Sequence, residues 1–135
     1  MCITIELAIS CINCYEMEQQ NQITGKKGED IACNYLENKG YHILARNWRH
    51  KHYEVDIIAA KNKILHFVEV KTRNGLRFGY PEECIGKEKM QFLKNAASAY
   101  QYQHPNWKYI QFDVIAITLD GNQTKEIFLF EDVYF

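Results

Sequence analysis

No stretch of the chain approaches the roughly 20 consecutive apolar residues that a membrane-spanning helix needs. No membrane partner is therefore expected. Charge of one sign is also lacking: the formal net charge is −1, so no global polycation announces a nucleic-acid partner. Cysteines are few and odd in number, at Cys2, Cys11, Cys14, Cys33 and Cys84. Without a convincing secretory signal, that count argues against a disulfide framework and for a reducing, cytoplasmic compartment. There is no Gly-rich phosphate loop, no Gly-x-Ser-x-Gly elbow and no paired cysteine knuckle. Internal repeats, low-complexity tracts and interdomain linkers are absent. What remains is ordinary for one soluble domain: 135 residues, 47% hydrophobic and 24% charged.

Residues 1–20, MCITIELAISCINCYEMEQQ, form an apolar extension expected to lie outside the core, leaving a single domain over residues 21–135. The extension lacks a basic n-region, and Glu6 interrupts its apolar run. Cys11-x-x-Cys14 has the spacing of half a zinc site, but no second Cys/His pair matches it. Met17 opens the polar stretch that leads into the domain and is an alternative initiator. A chain starting there is expected to keep its stability.

The informative stretch runs from His52 to Arg73, HYEVDIIAAKNKILHFVEVKTR. Two runs rich in Val, Ile and Phe flank Lys61-Asn62-Lys63, the pattern of a β-hairpin. Alternation puts Glu54, Asp56 and Ile58 on one face of the first strand. It puts Leu65, Phe67, Glu69, Lys71 and Arg73 on one face of the second. A two-residue turn at Asn62-Lys63 sets Lys61 opposite Ile64, Asp56 opposite Glu69 and Glu54 opposite Lys71. Opposed carboxylates, with Cβ atoms roughly 5 Å apart, repel unless something sits between them. A hard divalent cation such as Mg²⁺ binds through oxygen and suits that position. The plainer alternative is a charged strand end in which Glu54 and Lys71 form a cross-strand ion pair.

Around the hairpin, residues 24–40 read as a helix. Thr24 is its N-cap, Gly40 its stop, and Ile31, Ala32, Tyr35 and Leu36 its apolar stripe. Glu29 and Asp30 lie near the positive helix N-terminus, which by itself accounts for them. Residues 41–47 read as a short strand, with Arg46, Trp48 and Arg49 leading into a polar connection. The segment from Lys39 to His52 carries Lys39, Arg46, Arg49 and Lys51 with no acid: a local basic stripe or a solvated face. Asn74 to Gly86 is long for a connection, a candidate mobile or substrate-facing loop. Residues 87–103 read as a second helix, with Met90, Leu93, Ala97 and Tyr100 on one stripe. A strand at Tyr109–Leu119, a turn at Asp120-Gly121-Asn122 and a strand at Thr124–Phe130 complete the chain. The order α-β-β-β-α-β-β predicts an α/β fold, a mixed β-sheet flanked by helices.

These residues together resemble the YraN family of bacterial proteins, which is similar to the PD-(D/E)-x-K, or restriction-endonuclease-like, nucleases and to archaeal Holliday junction resolvases. The resemblance rests on Gly25-x-x-Gly28-Glu29, Arg46-Asn47-x-Arg49, Glu54-Val55-Asp56-Ile57-Ile58-Ala59 and Phe67-Val68-Glu69-Val70-Lys71-x-Arg73. Gly79-x-Pro81-x-Glu83, Lys89 and Phe112-Asp113-Val114 complete it. It covers roughly residues 25–118. Glu-x-Lys alone is a weak signal; the ordered set is specific. Two departures are Tyr53, where the family usually has glycine, and Val55, where the nominal motif has proline.

The resemblance implies a metal-dependent endonuclease acting on DNA, with branched or junction DNA as the candidate substrate. It implies that Asp56 and Glu69 bind Mg²⁺ or Mn²⁺, with the Val70 carbonyl as a further ligand. Lys71 would orient or deprotonate the attacking water, and Glu29 would reach in from the first helix. Arg46, Arg49 and Arg73 are candidate phosphate clamps, because the guanidinium fork matches phosphate oxygens, and Lys89 is another phosphate-binding candidate. Symmetric junctions would require a homodimer. Two other readings stay open: a non-catalytic DNA-binding protein that retains the fold, and an interaction protein whose charged hairpin is a solvated edge.

Overall fold

The computed structural model describes residues 25–74 and 86–133. The extension over residues 1–20, the Thr24 cap and most of the connection after Asn74 lie outside these residues. Helix α1 covers residues 25–38. It buries Ala32, Cys33 and Leu36 against the sheet, with Ile31 and Tyr35 partly covered, as the helical spacing predicts. Gly40 ends it at φ 88°, and the Tyr41 N–H reaches back to the Leu36 carbonyl at 3.0 Å. This left-handed cap favours glycine, which has no Cβ to clash.

Five strands follow: β1 (His42–His50), β2 (Tyr53–Lys61), β3 (Ile64–Asn74), β4 (Tyr109–Asp120) and β5 (Gln123–Phe130). Helix α2 (Lys87–Gln103) lies between β3 and β4. The sheet order is β1-β2-β3-β4-β5. All neighbours are antiparallel except β3 and β4, which run parallel from Ile64↔Tyr109 to Asn74↔Leu119. A parallel pair needs a long crossover, and α2 supplies it. The fold is thus the expected α/β mixed sheet with the expected element order.

The core has two halves. On one face α2 packs Met90, Leu93, Ala96, Ala97 and Tyr100 against Leu65, Phe67, Phe112 and Val114. On the other, α1 covers Ile57, Ala59, Val68, Ile115, Ile117 and Leu119. Central β3 and β4 are therefore apolar on both faces.

The hairpin register is as the sequence implied, from Lys61↔Ile64 to Ile57↔Val68. Asn62 and Lys63 both take positive φ, 51° and 65°, the geometry of a two-residue turn that follows strand twist. Strand β1 is longer than the expected 41–47. Trp48, Arg49 and His50 are not in a connection but pair with Val55, Glu54 and Tyr53. On this edge strand Arg49 faces solvent while Trp48 packs on the α2-side core, and the flanking charge and histidines mask the strand pattern.

Candidate functional site

The site lies where the sheet forks. Pairing of β2 with β3 ends at Ile57↔Val68. Beyond that point β2 continues on β1 through Trp48↔Val55, Arg49↔Glu54 and His50↔Tyr53, while β3 continues on β4 to Asn74. Alternation in β2 also breaks at Asp56: Val55 and Ile58, three apart, both join the α2-side core. Glu54, Asp56 and Ile58 therefore do not share one regular face, a correction to simple strand periodicity. The close Asp56–Glu69 rung is avoided, and the wedge between the strands becomes a cavity of about 390 Å³. Gly25, Glu29, Asp56, Glu69, Val70, Lys71 and Thr72 line it.

Four sequence-predicted residues, Glu29, Asp56, Glu69 and Lys71, thus meet in one space. Asp56 Oδ2 accepts the Val70 backbone N–H at 2.8 Å, replacing the ladder bond that the fork removes. Burial first, and the neighbouring Glu69 charge second, push the Asp56 carboxyl up to about 6; the Val70 N–H and the Lys89 charge oppose this. The Glu69 side chain is 7% exposed. Its Oε1 lies 3.6 Å from Lys71 Nζ and 3.4 Å from Lys89 Nζ, while its Oε2 is buried with no hydrogen-bond partner. Buried carboxylate oxygens are rarely left so. Among the described residues, no three His, Cys, Asp or Glu side chains form a group able to hold a metal ion by themselves.

Helix α1 delivers Glu29 by close packing. A Cβ on Gly28 would overlap Thr72 Oγ1, so only glycine lets α1 approach the end of β3 this tightly. Glu29 Oε2 then accepts the Asn47 amide at 2.8 Å. Asn47 sits in β1 at φ 47°, a left-handed conformation that Asn tolerates better than most residues. Sequence reasoning missed this role, although Asn47 stood in the quoted motif; an asparagine inside a strand was the available signal.

The basic residues fall in different places around the cavity. Arg46 and Arg49 line an adjoining groove of about 740 Å³ with Lys26, Asn47, Gly25, Glu29 and Asp30. The Arg46 guanidinium is paired with Asp30, and Arg49 Nη2 lies 3.3 Å from Glu54 Oε1. Glu54 is thus the partner of Arg49, not of Lys71 as the extrapolated register suggested. Arg73 is exposed near the end of β3. Lys89 reaches Glu69 from α2.

The fold and cavity define an α/β protein with an acid-and-lysine site in a forked mixed sheet. The model of the Uncharacterised protein family UPF0102 matches residues 28–117, and the chain belongs to that family. A UPF0102 protein of Flavobacterium johnsoniae is 43% identical over 109 residues, covering 78% of this chain and 88% of that relative. One from Chloroherpeton thalassium is 39% identical over 122 residues, covering 84% of this chain and 95% of its own. A third, from Bacteroides thetaiotaomicron, is 43% identical over 101 residues, covering 75% and 83%. The matched span includes every residue of the acid cavity except Gly25.

Proposed function

We propose that this chain is a metal-dependent endonuclease hydrolysing phosphodiester bonds in DNA, with branched DNA as its candidate substrate. The observation that carries the reading is the meeting of Glu29, Asp56, Glu69 and Lys71 in one cavity, with Glu69 Oε2 buried and unpartnered. It joins the sequence resemblance to PD-(D/E)-x-K nucleases described above.

The donors fit Mg²⁺ or Mn²⁺: they are oxygens, one is an unmet buried acceptor, and the Asp56 carboxyl is raised by burial and a neighbouring anion. Asp56, Glu69 and the Val70 carbonyl would hold the ion. When bound, such an ion supplies an activated water and neutralises charge building on the phosphate. Lys71, beside Glu69, places a positive charge where the phosphate would sit and orients the attacking water. Glu29, held by Asn47, offers a second carboxylate to that water. Arg73 is an open phosphate contact; Arg46 and Arg49 would have to leave Asp30 and Glu54 to serve as clamps.

The alternative is a DNA-binding protein that keeps the fold without cutting. It is favoured by the two lysines that already neutralise Glu69. Either role fits a cytoplasmic protein, and among the described residues no helix is long and apolar enough to cross a membrane. Symmetric cleavage of junctions would need a homodimer to supply two sites.

The test is a panel of labelled single strands, duplexes, flaps and four-way junctions with Mg²⁺ or Mn²⁺. Wild type is run beside Glu69→Ala and Lys71→Ala. Cutting that needs metal and vanishes in both variants supports the endonuclease. Salt-dependent binding without cutting supports the binding protein. Absence of DNA binding defeats both.

A further inference from the structure

The acid cavity draws in two lysines, and only one belongs to the hairpin. Lys71 lies on β3, two residues beyond Glu69. Lys89 comes from the first turn of α2 and approaches the same oxygen, Glu69 Oε1, at 3.4 Å against 3.6 Å for Lys71. Its ammonium also lies 5.4 Å from the centre of the Phe92 ring, one helical turn further on. That ring packs against His52 and Tyr53. Lys89 therefore has two partners, a carboxylate that lines the cavity and an aromatic ring that does not.

We propose that Lys89 is the resident counterion of the cavity: its ammonium holds Glu69 until a divalent cation takes that carboxylate, and is then released to a substrate phosphate. This rests on the metal-site reading above. In the cation-free protein, Asp56 and Glu69 bring two carboxylates into one wedge. Lys71 and Lys89 offset that charge, and only Oε1 of Glu69 receives them. Oε2 is buried, unpartnered and on a cavity-lining residue, so it is the open acceptor for an incoming ion. A dication there reverses the local balance and repels both ammonium groups; like charges a few ångströms apart interact strongly at reduced dielectric. Lys71 is carried on a central strand. Lys89 is on a helix; its side chain is 37% exposed, no different from the 36% of Lys71, but it has the Phe92 face as an alternative seat. It is the lysine that can leave. Cation binding and phosphate binding would then be linked through one side chain.

The experiment is calorimetric titration of Mn²⁺ into the full chain, comparing wild type, Lys89→Gln and Lys89→Arg at one pH and low salt. Melting of the same proteins in EDTA, alone and combined with Glu69→Gln, accompanies it. Lys89→Gln is expected to bind Mn²⁺ roughly three- to fivefold more tightly, the upper end of the scale of one partly exposed ion pair. Lys89→Arg, which keeps the charge, should stay within about twofold of wild type. In EDTA, Lys89→Gln should lower the melting temperature when Glu69 is present, and not when it is already Gln. Unchanged or weaker Mn²⁺ binding by Lys89→Gln, with normal wild-type binding, overturns the counterion role and leaves the metal site standing. No Mn²⁺ binding by any of these proteins overturns the metal site and this inference together.

Discussion

Asp56 accepts the Val70 backbone N–H at 2.8 Å across the point where β2 and β3 separate. A side chain thus stands in for the missing rung of the ladder. The same bond fixes a carboxylate beside Glu69 at the mouth of the fork. Because the bond favours the charged form and burial disfavours it, the pH response of Asp56 reads both.

In the cation-free protein, the Asp56 carboxyl at about 6 stands above the ordinary value near 3.9. The folded state therefore keeps this proton longer than the unfolded chain does. The resulting stability is fully present below about pH 4 and lost as pH rises through about 6, at most about 3 kcal/mol. Asp56→Asn keeps an acceptor for Val70 and removes the charge. Urea denaturation in EDTA is expected to show wild type falling relative to Asp56→Asn between pH 4 and 7. Parallel stability profiles over that window would contradict this.

Gly28→Ala gains helix propensity but drives a methyl group into Thr72. Overpacking should dominate, with a net loss of about 1–2 kcal/mol. Glu29 should also shift from Asn47. Adding Thr72→Ala removes the hydroxyl that is overlapped and should recover part of the loss. Thermal melts of the single and double variants decide it; a single variant as stable as wild type rules out the tight approach.

Asn47 combines a left-handed backbone with the hydrogen bond to Glu29. Asn47→Ala should lose about 1 kcal/mol or more from backbone strain and the missing amide. Asn47→Gly restores the backbone freedom but not the amide. It is expected to melt nearer wild type while losing as much of the proposed DNA cleavage or DNA binding as Asn47→Ala. Full function in Asn47→Gly would show that Glu29 needs no positioning.

At the far end of the sheet, His66 Nδ1 lies 2.7 Å from Asp113 Oδ2, both side chains buried. Asp113 Oδ1 also accepts the Asp132 N–H and the Gln111 amide, each at 2.9 Å. Asp113→Ala would strand three buried or part-buried partners and should cost about 3 kcal/mol or more. Because it lies away from the fork, the Mn²⁺ binding proposed there should be unchanged in the folded fraction. A loss of Mn²⁺ affinity without unfolding would tie this pair to the site.

The two helices, the hairpin turn and the mixed character of the sheet were legible because each follows from local pattern or element order. The stripe Ala32/Leu36, the Gly40 stop and the α2 stripe Met90/Leu93/Ala97/Tyr100 need only helical spacing and a permissive glycine. The end of β1 was not legible: Trp48 to His50 become strand only by pairing with β2. Nor was the pairing of Arg49 with Glu54, since a regular ladder extended past Ile57 gives Glu54 to Lys71.

By itself, the sequence determined which acids and which lysine are the candidates for a site and in what order the elements come. Spacing sets the faces of helices and strands, and a two-residue turn sets the register as far as Ile57↔Val68. The tertiary structure alone decided that this register stops there. Two buried carboxylates on one rung repel, so β2 follows β1 and β3 follows β4, and the wedge left between them gathers Glu29, Lys71 and Lys89 around Asp56 and Glu69. That gathering depends on packing between segments far apart in the chain, Gly28 on Thr72 and α2 on β3, and local sequence rules do not reach across such distances.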